Sequence, residues 1–430
     1  MPKKLKYLSV NSQRAAFLNS QLEKTRTVQV WGLGTFGGNL SLIKYLCKQG
    51  YLINLYELKS KEDLKESWDK LLKFHDSIRV TWNCSHPKVL PNQLLFISPA
   101  VKPNHSCLLN IPSELISTEI ELSLCLLAAI KKNVHVIIGS VGKSTCASLL
   151  AKALETKVYG NIGNSILESL TNIPDNYIVE LSSFQLHYLR LLEFIPTSYL
   201  CTPIKNNHAE WHGGINEYIL AKQQPLSFWK KNGTIGFDMN NEDLSERTSL
   251  NLKIKGNHNL NNARAVVDLL KRLDLMNEKA KGNIENFPGL KHRFEIVIEN
   301  QGLCFINDSK ATSPEATLSA LESVNNNCIL FLQGVPLDGC EDKLLKIINE
   351  KCHTLVLVSS MQKLFSKGIN NVQIERFNTL TEAFKSIRWF SFSKAEILLS
   401  PSAPSYDQFK NYEERGELFS QLAKGLSHTL

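Results

Sequence analysis

The stretch Val134–Leu154, "VHVIIGSVGKSTCASLLAKAL", runs from an apolar, strand-like segment (Val134–Ile138) into a glycine-bounded turn. It continues through Lys143-Ser144-Thr145 into a segment whose apolar residues recur at three and four. This is the layout of a phosphate-binding loop between a strand and a helix, and it predicts an α/β fold. The common form of the loop places four residues between its first glycine and the Gly-Lys pair, whereas Ser140 and Val141 alone separate Gly139 from Gly142. The shorter form keeps the physics. Gly142 allows close backbone approach, the amides around Lys143 face an anion, Lys143 neutralises it, and Ser144 or Thr145 can hold Mg2+. The competing reading is a strand, a turn and a helix whose Lys-Ser-Thr is merely solvated.

A chain of 430 residues exceeds the size at which one core usually stops growing, so two or three domains are expected. With 43% hydrophobic residues, 21% charged residues and 15 prolines, the composition is that of a globular protein and excludes a largely disordered one. The formal charge of +8 is spread along the chain without a basic tail, which argues against nucleic acid and is satisfied by small anionic substrates. Ten cysteines occur without a C-x-x-C pair, several of them inside apolar runs, and read as reduced core thiols. The opening "MPKKLKYLSVNSQRAAF" has no apolar signal-peptide core and no window is a membrane span, so a cytoplasmic location with no membrane partner is expected.

Strand-like and helix-like segments alternate in three blocks, as in α/β domains on mostly parallel sheets. The first (1–117) carries "VQVWGLGTFGGNLSLIKYL", where a strand enters Gly32-x-Gly34-x-x-Gly37 and a helix. A second strand there ends near Glu57, an acid suited to a ribose hydroxyl. On this motif alone a flavin or nicotinamide site competes. The second block (118–288) holds the phosphate loop, and the turn-forming Phe287-Pro288-Gly289 marks the boundary to the third (289–430).

In the second block, "YIVELSSFQLHYL" puts Glu180 at a strand end, where a carboxylate near a phosphate loop can take a metal bridging nucleotide phosphates. His208, downstream in "NNHAEWHGGINEYILAK", is either a second ligand or a solvated loop residue, and His212 is unassigned. Asn259 and Asn262, at the front of the amphipathic "GNHNLNNARAVVDLL", either cap the helix or touch a nucleotide. In the third block, strands end at Asp308, Lys310 and Thr312 and at Ser402, Ser405 and Tyr406. These are helix caps taken singly, or one site for a small charged substrate taken together.

In this order, "GSVGKST", "GNIGNSIL", "ELSSFQL", "GNHNLNNA", "FPGLKHRFE", "INDSKAT" and "LLSPSAPSYDQFKNYEERG" resemble the muramyl ligases of peptidoglycan synthesis over almost the whole chain, most nearly those that add D-glutamate. The resemblance implies a monomeric, ATP- and Mg2+-dependent amide ligase acting on UDP-N-acetylmuramoyl-L-alanine and D-glutamate. It also implies three domains: N-terminal Rossmann-like, central P-loop ATPase-like and C-terminal Rossmann-like. Gly32, Gly34, Glu57, Ser98, Asn161 and His208 would then serve the uridine substrate. Gly139, Gly142, Lys143, Ser144, Thr145, Asn259, Asn262, Arg293 and Asp308 would serve ATP. Ser144, Glu180, His208 and Lys222, the last as a carbamate, would serve the metals. Lys143, His208, Lys222 and Lys310 would take part in transfer, while Thr312, Ser405, Tyr406 and Tyr412 would hold the amino acid.

The chain departs from the family at Ser140-Val141, at Asn207, at Ser98-Pro99-Ala100 and, most of all, at Leu337, where the family carries a lysine for the incoming carboxylate. A sister ligase of other specificity and a non-catalytic nucleotide-binding homologue are the competing readings. A folylpolyglutamate synthase lacks the Gly32 block, and retention of Lys143, Glu180, His208, Lys222, Asp308 and Lys310 together argues against a pure binder.

Overall fold

A computed structural model of the chain describes residues 6–33, 39–90, 92–205, 209–244, 249–254, 256–336, 341–363, 368–389, 392 and 394–426. Three sheets carry the fold. The first consists of β1 (Thr27–Trp31), β2 (Leu52–Tyr56), β3 (Ile78–Thr81), β4 (Leu95–Ile97) and β5 (Ile116–Ser117), all parallel, in the order β3-β2-β1-β4-β5. The second consists of β6 (Asn133–Ile138), β7 (Val158–Gly160), β8 (Asn176–Glu180), β9 (Ser198–Cys201) and β10 (Ile235–Asp238), again parallel, in the order β10-β9-β6-β8-β7. Both orders reverse direction at one strand, β1 or β6. Such a switch point opens a crevice at the strands' carboxyl ends.

The third sheet runs β11-β12-β16-β13-β14-β15, built from β11 (Glu295–Asn300), β12 (Leu303–Asn307), β13 (Cys328–Gln333), β14 (Cys352–Val358), β15 (Gln373–Phe377) and β16 (Ala395–Leu399). Among the described residues its one antiparallel pair is β11 with β12 at the edge. The apolar runs follow from burial on both faces. Ile329 and Phe331 of β13 enter one core with Ile397 and Leu399, while Leu330 and Leu332 enter the opposite one with Leu398. Each fully buried side chain of this kind contributes about 1.5–3 kcal/mol relative to exposure.

The chain divides into two compact units: residues 1–248 with 262–284, which hold the first two sheets, and residues 249–261 with 285–430, which hold the third. Within the first unit, the helix Ser12–Lys24, capped by Asn11, sends Arg14 to the segment that leads from β5 into the helix Glu119–Ala129. Arg14 donates to both Glu121 oxygens (2.7 and 2.8 Å), to Ile116 O (3.0 Å) and to Glu114 O. Both partners are buried, so the ion pair holds together through its full set of hydrogen bonds rather than through charge alone.

Nine cysteines lie among the described residues, all of them free thiols. Cys125, Cys146, Cys201, Cys328 and Cys352 are core residues, while Cys47, Cys84, Cys107 and Cys304 are only half covered. Among the described residues no helix is long and apolar enough to cross a membrane.

Candidate functional site

The loop quoted at the outset does lie between a strand and a helix. β6 ends at Ile138, and Lys143 opens the helix Lys143–Ala153. Gly139 has φ +126° and Gly142 φ +89°, a region that side chains rarely adopt. A Cβ at Gly139 would overlap the Thr202 hydroxyl, and one at Gly142 would lie 2.7 Å from Asn262 Oδ1. The amides of Ser140 and Val141 donate back to Pro203 O (3.0 and 3.4 Å), and the first helical bond runs from Cys146 N–H to Gly142 O (2.9 Å). The helix thus opens at Lys143, Ser144 and Thr145, and a helix N-terminus of this kind favours an anion.

The neighbouring strand ends complete the site. Glu180, 1% exposed at the end of β8, accepts from Ser144 Oγ (2.7 Å) on one oxygen and from Asn161 Nδ2 (3.0 Å) on the other. Lys222, on the helix Ile215–Lys231, is equally buried and donates to Gly139 O (2.7 Å), with its ammonium 5.0 Å from the Tyr218 ring. Burial, then the Lys143 charge, push its pKa down to about 7, against the pull of Cys201 and Glu180. Lys143 itself donates to Ser140 O (2.9 Å).

Five expected residues thus meet at one loop: Lys143, Ser144, Asn161, Glu180 and Lys222, with Gly139, Gly142 and Asn262 shaping it and Thr145 in the first turn of the helix. The oxygen donors of Ser144 and Glu180 suit a hard cation. Among the described residues no three His, Cys, Asp or Glu side chains converge as a metal-binding group. His208, like Asn207, lies outside the described residues.

At the first sheet's switch point, Gly32 (φ +85°) follows β1 and Ser98 follows β4. A Cβ on Gly32 would come within 3.0 Å of Ser98 Cβ, so glycine lets the two turns close on each other. Glu57 receives Leu33 N–H (2.6 Å) and Lys59 N–H (3.0 Å), bracing the glycine turn. Gly34 lies outside the described residues.

In the second unit the ends of β12 and β16 meet. Asp308 N–H donates to Leu399 O (2.8 Å), and the Asp308 carboxylate accepts from Ser400 Oγ (3.0 Å) and Phe294 N–H (3.1 Å). Burial pushes the Asp308 pKa up to about 7, although Ser400, the Phe294 amide and Arg293 all favour the charged form. The Lys310 ammonium sits 3.7 Å from the centre of the Tyr412 ring, and Thr312 N–H donates to Lys310 O (2.8 Å). Ser405 is buried, whereas the Tyr406 side chain is 69% exposed. Asn259 is buried at the start of the helix Asn257–Arg272, and its N–H donates to Gly256 O (3.0 Å). Leu337 lies outside the described residues.

Four participants escaped the sequence reading. Tyr218 shares a helix face with Lys222 at i, i+4 and bonds Ser140 Oγ; that spacing was a usable signal. Thr202 and Ser400 reach their partners only through long-range pairing of strands. Arg415 looks like one charge among several on an amphipathic helix, yet it is fully buried, binding Gln333 O (2.7 Å), Ser309 O (2.8 Å), Ser309 Oγ (2.9 Å) and Ala403 O (3.1 Å).

Comparison with known proteins bears on this arrangement. Residues 137–248 match the family description "Mur ligase middle domain". The UDP-N-acetylmuramoylalanine--D-glutamate ligase of Thermosipho melanesiensis is 30% identical over 422 residues, covering 92% of this chain and 97% of that protein. The protein of the same name from Fervidobacterium nodosum is 28% identical over 422 residues, covering 92% and 98%. Among solved structures, the UDP-N-acetylmuramate-alanine ligase of Thermotoga maritima shares the fold with a TM-score of 0.57 at 16% identity, covering 93% of this chain and 99% of that one. A pseudomurein peptide ligase type C from Methanothermus fervidus does so with a TM-score of 0.52 at 14% identity, covering 94% and 100%. With such identity across nearly all of both chains, and the middle domain matched over the phosphate loop and the strands beside it, this chain belongs to the Mur ligases, enzymes that form carbon–nitrogen bonds.

Proposed function

We propose that the chain joins D-glutamate to UDP-N-acetylmuramoyl-L-alanine in an ATP-driven step of peptidoglycan synthesis. The observation that carries this reading is the convergence of Lys143, Ser144, Asn161, Glu180 and Lys222 on the phosphate loop. It is joined to the names of relatives that match 92% of the chain.

A carboxylate is a poor electrophile. In the first step the substrate's alanyl carboxylate oxygen attacks the γ-phosphorus of ATP, the bond to the β,γ-bridging oxygen breaks, and ADP leaves. In the second the D-glutamate amine attacks the acyl carbon, the carbon–oxygen bond to phosphate breaks, and the amine loses its proton. Lys143 and the first-turn amides hold and neutralise the phosphates, so catalysis here is mostly positioning and charge compensation. Ser144 and Glu180 would hold Mg2+, which supplies further neutralisation of phosphate charge. Lys222, as a carbamate, adds an anion to that set. Asn161 orients Glu180 and, with His208, serves the reacting substrate.

From the second unit, Arg293, Asp308 and Asn259 are assigned to the nucleotide and Lys310 to the transferring phosphate. Thr312, Ser405, the Tyr406 backbone and Tyr412 are assigned to the amino acid. In the first unit, Asn262 joins the nucleotide contacts, and Gly32, Gly34, Glu57 and Ser98 form the uridine site. The three sheets then correspond to three functional domains, 1–117, 118–288 and 289–430, acting as a monomer.

Phosphate release measured with UDP-N-acetylmuramoyl-L-alanine, ATP and a panel of amino acids tests this. Release dependent on D-glutamate is expected. Release with a different amino acid alone would make the chain a sister ligase, a reading that Leu337 favours, and no release with any amino acid would overturn the ligase assignment.

A further inference from the structure

We propose that Trp211 and Tyr188 are positioning residues that hold the Ser98–Val101 turn in the shape that binds the uridine-bearing substrate. The proposal rests on the assignment of that turn to the uridine site. The turn leaves β4 at the first sheet's switch point, where Ser98 N–H donates to Trp31 O (2.8 Å) and Ser98 packs against Gly32. Its own bonds are Val101 N–H to Ser98 O (2.9 Å) and a long contact from Ala100 N–H to Ser98 Oγ (3.4 Å). Two successive carbonyls of the turn are captured from outside the first sheet. Trp211 Nε1–H donates to Ala100 O (3.0 Å), and the Tyr188 hydroxyl donates to Val101 O (2.6 Å).

The two donors are held by rigid neighbours. Tyr188 ends the helix Ser183–Tyr188, which starts three residues after Glu180 and is fixed at its front by a reciprocal Ser182–Gln185 capping box. The Trp211 ring lies 4.5 Å from Phe184 of that same helix and edge-on to His187 at 5.5 Å. His187 is pushed down to a pKa of about 4, chiefly by burial and then by Arg190 and His212, so this ring of the cluster stays uncharged at neutral pH. An otherwise lightly bonded turn at a ligand crevice is thereby preorganised by the helix that follows the metal-site strand. Preorganisation of this kind shows as affinity for the ligand of that turn.

The test is calorimetric binding of UDP and, separately, of ATP to the full chain, its Trp211→Phe and Tyr188→Phe variants, and the double variant. Each single change deletes one neutral hydrogen bond while keeping an aromatic ring. UDP binding should weaken about threefold to tenfold in each, and further in the double variant, with ATP binding kept within about twofold. In turnover, KM for the uridine substrate should rise while kcat holds. Unchanged UDP affinity in both single variants, in a wild type that ligates, would overturn the brace and leave the ligase reading standing. A parallel loss of UDP and ATP affinity would reduce the pair to general structural support and also overturn it. A wild type that does not bind UDP removes the uridine site and the brace with it. Should Trp211→Phe fail to fold, Tyr188→Phe decides alone, since it removes only a hydroxyl.

Discussion

Lys222 offers the sharpest perturbation of this site. An ordinary lysine is about 0.03% neutral at pH 7, whereas an amine titrating near 7 is about half neutral, roughly a thousandfold more nucleophile. Its nitrogen can add to the carbon of carbon dioxide with loss of a proton, replacing a buried cation by an anion within the field of Glu180. The neutral fraction rises from about one-tenth at pH 6 to about nine-tenths at pH 8, so carbamate formation should gain close to an order of magnitude across that range. Enzyme held at pH 6 in carbon-dioxide-free buffer should therefore lose most of its phosphate-release activity and regain it with bicarbonate at pH 8. Lys222→Ala should be inactive and partly rescued by acetate, and 13C-bicarbonate should give a carbamate carbon resonance that the variant lacks.

Stability provides an independent check on Lys222. The folded pKa lies below the unfolded value, so the folded state binds fewer protons between about 7 and 10.5, and stability rises with pH across that window. Lys222→Met should accordingly raise Tm most at pH 6, with the gain shrinking toward pH 10. Indifference to carbon dioxide, together with no rescue and no resonance, refutes the carbamate. A Tm gain that does not vary with pH refutes the depressed pKa.

Asp308 titrates in the opposite sense. Its folded pKa is raised, so the folded state binds more protons between about 4 and 7 and stability falls as pH rises through that range; Asp308→Asn should raise Tm at pH 8 but not at pH 3, and weaken ATP use, as thermal scans and ATP titrations will show. Ser144→Ala removes a 2.7 Å bond to a buried carboxylate and should cut kcat/KM for ATP about tenfold to hundredfold, with a higher Mg2+ requirement in the same assay. Leu337→Lys should lower KM for D-glutamate by about ten- to hundredfold, by supplying a charge-assisted bond worth roughly 1.5–3 kcal/mol, with little change in KM for ATP. A wild type already saturated at micromolar D-glutamate and unimproved by the change would mean that another cation fills this role.

The parts of the fold legible in the sequence are those written locally. Val134–Ile138, the two glycines and Lys143-Ser144-Thr145 specify a strand, a left-handed turn and a helix within a few residues of one another. Glu180 was readable because an acid ends an apolar strand, and Gly32 because β1 runs straight into it. What stayed hidden depends on pairing distant segments. That Glu180 bonds Ser144 follows from β6 and β8 being neighbours, an adjacency that strand order sets and no spacing reveals. That Glu57 also takes backbone amides of the turns on either side on its two oxygens follows from β2 sitting beside β1 in register, which the Gly32-to-Glu57 spacing does not reveal. The turn between Phe287 and Gly289 is local punctuation, whereas the grouping of residues 249–261 with 285–430 rests on contacts between segments distant in sequence.

The Arg14–Glu121 pair links residues 107 positions apart in a chain that is made from its N-terminus. During synthesis the helix Ser12–Lys24 and strands β1 to β5 are complete before Glu121 emerges, and until then the Arg14 guanidinium has no carboxylate to accept its bonds. The buried seat of the N-terminal helix is therefore complete only with a carboxylate from the helix that follows β5. Once seated, loss of either partner strands the other in the interior, at a cost of about 3–5 kcal/mol. The first sheet is thus finished by a residue that lies beyond its last strand.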